Sequence, residues 1–156
     1  MLAVVTRFWD VRDGSNPEKL ISWAERAYKL GDICLVAVNV EEDKSGALQA
    51  IKELGLSQLR AFPVTPWGYA FAMNALVFGA DLEGQRYLLS HSGEVHMTSD
   101  MTGKMLALMD DSTLCVGARM PGHEFIPGST VVGTGVTVPW NTCCLWNLRR
   151  LSCLGF

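Results

Sequence analysis

Ile33-Cys34-Leu35-Val36-Ala37-Val38 is an unbroken run of six apolar residues. An alternating pattern marks a strand with one wet face. A continuous short run marks a strand covered on both faces. Such a strand needs helices above and below its sheet, so the flanking sequence should alternate strand and helix.

It does. Upstream, Leu2 to Phe8 is β-rich and apolar and reads as the first strand. A polar stretch, Asp10 to Ser15, leads to Asn16-Pro17-Glu18: an N-cap, a proline at the first helical position and an acid in the first turn. Leu20, Ile21, Ala24, Ala27, Tyr28 and Leu30 then recur at helical spacing, and Gly31 reads as the stop. Downstream, Asn39 to Lys44 is polar, Ser45 is placed to cap a short helix through Leu54, and Gly55 ends it. Leu59 to Val64 predicts a strand, and Gly68 to Leu82 a helix stopped by Gly84. Arg86 to Ser90 predicts the fourth strand. A helix capped by Thr98 or Ser99 follows to Met109, with Met101, Met105, Leu108 and Met109 on one side, and Thr113 to Ala118 predicts a fifth strand. Arg119 to Val138 is rich in Gly, Pro and Thr and predicts loop with a short hairpin; Pro139 to Leu154 predicts a last helix.

The expected fold is α/β: an open, mainly parallel Rossmann-like sheet with helices on both faces. The chain of 156 residues suits one domain, here 1–156. In such sheets ligands bind outside the carboxyl ends of the strands. Thr6–Arg12, Asn39–Asp43, Val64–Gly68 and Ser90–Glu94 occupy those ends.

Composition narrows the classes. A hydrophobic fraction of 49%, a charged fraction of 19% and a net charge of −3 describe a globular chain with no electrostatic footprint for nucleic acid. Five cysteines without C-x-x-C or zinc spacing argue against a disulfide framework and fit a reducing cytoplasm, with Cys34 and Cys115 as small core residues. No stretch is apolar enough for a transmembrane segment. The loop after strand one, Thr6 to Gly14, lacks the G-x-G-x-x-G of dinucleotide sites, and neither a P-loop nor G-x-S-x-G occurs.

Several stretches place usable chemistry at the strand ends. Asn39-Val-Glu41-Glu-Asp43 offers acids to a ribose or base, or is a solvated turn. Pro66-Trp67-Gly68 opens a helix whose N-terminus attracts phosphate, or simply packs and turns. Asn74 is either half-exposed or bonded to a loop or ligand. His91, Ser92 and Glu94 emerge at the end of strand four, with His91 alternatively a core histidine; a hard divalent ion would take its oxygen ligand from Glu94. Arg119 can meet phosphate, and His123-Glu124 a metal or acceptor. Trp140 can stack on a sugar and Asn141 bond its hydroxyls; the plainer alternatives are a core tryptophan and a helix N-cap.

The order of these features resembles the inverting family 2 glycosyltransferases and other GT-A domains. The resemblance rests on the opening strand, polar loop and helix, on the acids after strand two, and on Ala72-Met-Asn74-Ala75. It continues through Ala80-Asp-Leu-Glu-Gly84 with Tyr87-Leu-Leu, through Thr113 to Arg119 and through Trp146 to Phe156. It puts the family's D-x-D metal motif on Ser92-Gly93-Glu94, where Glu94 is the one carboxylate. It implies a nucleoside-diphosphate sugar as ligand and transfer to an acceptor hydroxyl of unknown identity. Thr6, Arg7, Asn39, Glu41 and Ser92 would lie near the nucleotide, Glu94 near Mg²⁺ or Mn²⁺, and His123, Trp140 and Asn141 near the donor sugar or acceptor. Arg7 or Arg119 could substitute for the metal. The family's general base follows a Gly-Phe turn, whereas this chain ends at Gly155-Phe156, as a fragment, a frameshifted product or a degenerate relative would. The alternative is a non-catalytic nucleotide-sugar-binding or assembly protein on the same fold, and a homo-oligomer is left open. A nucleotidyltransferase is a third reading, against which stands the lack of a Gly-rich, Arg/Lys-containing loop after strand one.

Overall fold

The computed structural model describes residues 1–9, 17–40, 46–68, 70–119, 121–124, 126 and 128–156. The elements run β1 (Leu2–Phe8), α1 (Pro17–Ala27), β2 (Ile33–Asn39), α2 (Ala47–Glu53), β3 (Leu59–Val64), α3 (Phe71–Leu82), β4 (Tyr87–His91), α4 (Ser99–Ala107), β5 (Cys115–Gly117), β6 (Cys143–Asn147) and α5 (Leu148–Leu154). One six-stranded sheet has the order β3-β2-β1-β4-β6-β5. β1 to β4 are mutually parallel; β6 runs antiparallel to β4 and to β5.

The apolar run at 33–38 explains the layering. Every residue of β2 is buried. Its alternate side chains divide between two cores: Cys34, Val36 and Val38 pack with α1, α2 and α4, and Ile33, Leu35 and Ala37 with α3 and α5. The crossover rule accounts for that division. From β1 to β2 to β3 the chain advances in one direction, so right-handed connections put α1 and α2 on the same face. From β3 to β4 it reverses past β1, so α3 falls on the other. The reversal leaves a switch point between β1 and β4, registered Val5 against Ser90, where the connections diverge and a crevice opens.

α1 buries Leu20, Trp23, Ala24 and Ala27; Tyr28, expected on that stripe, is exposed. Asn16 and Ser45, expected as caps, fall outside the described residues. Thr98 is the cap of α4, its hydroxyl accepting from the Met101 amide at 3.2 Å. The inward side of α4 is Thr102, Met105 and Leu106, joined by Met109 beyond its end. Met101 and Leu108, expected on that side, are exposed. Gly31 does not serve as a helix stop. A β-carbon there would lie 2.6 Å from the Leu2 carbonyl, so glycine is needed where the chain passes β1. Gly84 does end its helix with left-handed geometry, φ +65°.

Two expectations near the C-terminus are corrected. Pro139 to Leu154 is not one helix: Cys143–Asn147 is a strand, and only Leu148–Leu154 is helical. The three-residue spacing of Leu145, Leu148 and Leu151 straddles the boundary. Leu145 packs on the α1 side of the sheet, and Leu148 and Leu151 on the α3 side. The exposed hydrogen-bonding edge of β4 decides the matter, pairing from Tyr87↔Asn147 to His91↔Cys143. The fifth strand is shorter than Thr113 to Ala118 and is an antiparallel edge strand on β6. Between Arg119 and Val138 no strand is present among the described residues, so the expected hairpin is not seen.

Candidate functional site

A cleft of about 840 Å³ opens at the β1–β4 switch point, within the size range of small-molecule sites. Its floor is the end of β1 and of β4. One wall is α1, the other the start of α3 with Trp67 and Gly68; the turn Ser92-Gly93-Glu94 and the pair Asn141-Thr142 close the rim.

The turn is built by packing. Trp23 and His91 are each 1% exposed. The Trp23 indole N–H is shared between the His91 carbonyl at 2.9 Å and its Nδ1 at 3.1 Å. His91 Nε2 lies 2.8 Å from the Val95 carbonyl. With Nδ1 accepting, Nε2 carries the proton and donates, so the ring is a neutral, fully used tautomer. Burial lowers its pKa below the ordinary 6.5; the Val95 carbonyl works against this, and Arg26 and His96 reinforce it. His91 is therefore the satisfied core histidine of the two alternatives. One helical turn after Trp23, Arg26 donates from Nη2 to the Gly93 carbonyl at 3.0 Å. The Ser92 amide donates to the Thr142 carbonyl at 2.9 Å, fixing the rim residues from β6 beside the turn. The Ser92 hydroxyl donates to Glu94 Oε2 at 2.8 Å.

Of the residues singled out from sequence, Thr6, Arg7, Ser92, Glu94 and Asn141 share this cleft. Asn39 ends β2 at 2% exposure and does not line it. Glu41 falls outside the described residues. His123 and Trp140 meet each other instead, edge to face with ring centres 4.4 Å apart, and the Trp140 indole donates to the Gly135 carbonyl at 2.6 Å. Asn141 caps no helix, since a strand follows, and Trp140 is 37% exposed rather than core. Asn74 turns from the sheet and accepts from the Phe156 amide at 2.8 Å, tying down a C-terminus whose Phe156 ring meets Trp146 edge to face.

Sequence reasoning passed over Trp23, Lys19 and Arg26 on α1 and Thr142 just before β6. Trp23 carried a usable signal: a tryptophan on the buried stripe of an amphipathic helix needs an acceptor for its N–H. Arg26 carried none, because its partner is a carbonyl 67 residues away.

No cysteine is among the described residues that line the cleft. Burial pushes the Cys34 thiol up to about 12, and Cys144 is raised by its hydrogen bond with Cys115 and by burial. No grouping of three or more His, Cys, Asp or Glu side chains fit to hold a metal occurs among the described residues. No helix is long and apolar enough to cross a membrane among those residues.

No family model matches the sequence, and no curated protein matches it. Among solved structures the chain is similar to the 4-diphosphocytidyl-2C-methyl-D-erythritol synthase of Anaerococcus prevotii DSM 20548. The TM-score is 0.64 at 10% identity, over 98% of this chain and 72% of that one. At this identity the likeness is one of fold: both chains share a Rossmann-like, GT-A-type sheet with helices on both faces.

Proposed function

We propose that the cleft binds a nucleoside-diphosphate sugar and that the domain transfers the sugar to an acceptor hydroxyl. The observation that carries this is the convergence, at one switch point, of Arg7, the Ser92-Gly93-Glu94 turn and Asn141 around a space of about 840 Å³. The fold-sharing synthase bears a name that places a diphosphocytidyl group in its own product, which supports a nucleotide as ligand more than it supports sugar as the group moved. On this reading Thr6 and Arg7 meet the nucleoside and Ser92 lies toward the diphosphate, with Glu94 beside it accepting the Ser92 hydroxyl. Asn141 reaches the sugar, and the His123–Trp140 pair lies toward the acceptor. Transfer would be an in-line attack on the anomeric carbon with inversion, the leaving diphosphate stabilised by fixed charges.

Titration calorimetry of the folded protein against UDP-, GDP- and dTDP-sugars tests the proposal. Binding of at least one is expected. A folded protein that binds none overturns it, and a protein that prefers nucleoside triphosphates redirects it to nucleotidyl transfer.

One observation favours a non-catalytic binding or assembly role on the same cleft. Its one histidine among the described lining residues, His91, has both ring nitrogens committed and so cannot take the acceptor proton. This second reading predicts donor binding without release of free nucleotide.

A further inference from the structure

A GT-A-type cleft implies a divalent cation at Ser92-Gly93-Glu94, and the residues there do not fit one. A hard divalent ion needs a shell of about six or more oxygens, usually with several carboxylates. Glu94 is the one acid of the turn, and its Oε2 already takes the Ser92 hydroxyl at 2.8 Å. The other acid among the described lining residues, Glu18, belongs to the first turn of α1. The middle residue of the turn is held by a cation instead: Arg26 Nη2 lies 3.0 Å from the Gly93 carbonyl, while its Nη1 donates to Ser22 Oγ at 2.7 Å. A fixed guanidinium repels a second cation at contact distance. It also attracts phosphate and presents five N–H donors, so these two bonds leave donors for a ligand. Arg7 and Lys19 line the same cleft.

From this we infer that the cleft holds the diphosphate of its ligand through Arg26, with Lys19, and needs no divalent cation. The inference rests on the nucleotide reading above and deepens it. Arg26 has a double part. It positions the turn after β4 through Gly93, and it places the positive charge that a metal supplies elsewhere.

Calorimetry on the full chain with UDP and with inorganic pyrophosphate, each in excess EDTA and again in excess Mn²⁺, tests it. Affinities equal within about twofold in the two buffers are expected, twofold being only about 0.4 kcal/mol. Arg26→Gln should weaken pyrophosphate at least about tenfold and flatten its dependence on salt, as loss of a contact charge requires. Arg26→Lys should keep the salt dependence; a merely structural arginine would leave that slope unchanged in both variants. Binding that appears only with Mn²⁺ overturns the inference and leaves the nucleotide reading standing. Pyrophosphate binding in EDTA without binding of UDP or any of the nucleotide sugars supports the anion site and overturns the nucleotide reading. Failure of both probes in both buffers overturns the inference; the nucleotide reading falls with it only if the GDP- and dTDP-sugars fail as well.

Discussion

One tryptophan–histidine pair lines this cleft and another lies outside its lining, and they are held in opposite ways. Trp23 and His91 are drawn from α1 and β4, 68 residues apart, and are buried to 1% exposure. Every polar atom of the pair is used: the indole N–H, both imidazole nitrogens and the His91 carbonyl. Trp140 and His123 both come from the irregular segment between β5 and β6. They touch edge to face, and Trp140 is 37% exposed. The first pair is a consequence of the whole fold, because only the packing of α1 on the sheet brings its members together. The second is a local contact whose loss need not disturb the sheet. A buried polar network contributes when complete and is costly when half-removed; the second pair, half-exposed and holding one indole bond to the Gly135 carbonyl, carries less of both. The difference separates a scaffold from a surface free to meet a ligand.

The largest expected effect lies in the buried pair. Trp23→Ala should lower the unfolding free energy by about 3–5 kcal/mol, measured by urea denaturation, because it leaves a cavity and strands two acceptors. Trp23→Phe keeps most of the volume and removes the donor, and should cost about 1–3 kcal/mol. A Phe variant as stable as the parent would show that the hydrogen bonds, and with them the contrast between the pairs, carry little.

Acid should act on the same pair. Burial lowers the pKa of folded His91 below the ordinary 6.5 of the unfolded chain. Below that value the unfolded chain takes up a proton that the folded chain refuses, so stability is full above about pH 6.5 and falls as pH drops toward the folded value. The slope from this residue cannot exceed about 1.4 kcal/mol per pH unit. Urea midpoints measured from about pH 7 to about pH 5 should decline in the parent and decline less in His91→Gln. An identical decline in both would assign the acid sensitivity to other groups.

The exposed pair should respond least in stability. Trp140→Ala is expected to cost about 0.5–1.5 kcal/mol, the range for an aromatic pair, and His123→Ala no more than that. Their value is as a probe of ligand contact. Weaker donor-sugar binding in Trp140→Ala at nearly unchanged stability would place this pair at the ligand. Unchanged binding in both variants would confine the site to the residues that line the cleft.

Much of the fold was legible because its signals are local. β1 and β3 begin and end where apolar content and turn residues place them, at Leu2–Phe8 and Leu59–Val64. Thr98 caps α4 through a hydroxyl three residues from its partner amide. The C-terminal strand was not legible. Cys143–Asn147 is apolar enough for strand or helix, and its state is set by the free edge of β4, more than 50 residues away.

The candidate site divides in the same way. Sequence placed Thr6, Arg7, Ser92 and Glu94 at strand ends, since each lies within three residues of a strand's carboxyl end. It could not tell that Asn39 would be sealed into the core, that His91 would be locked by Trp23, or that Arg26 would reach Gly93. By itself, then, the sequence determined the alternation of elements and the end of the sheet where a ligand belongs, because periodicity and caps act over a few residues. Tertiary structure alone decided which side chains face that ligand and which are consumed in holding the turn, because those partners are chosen by packing across 67 or 68 residues of intervening chain.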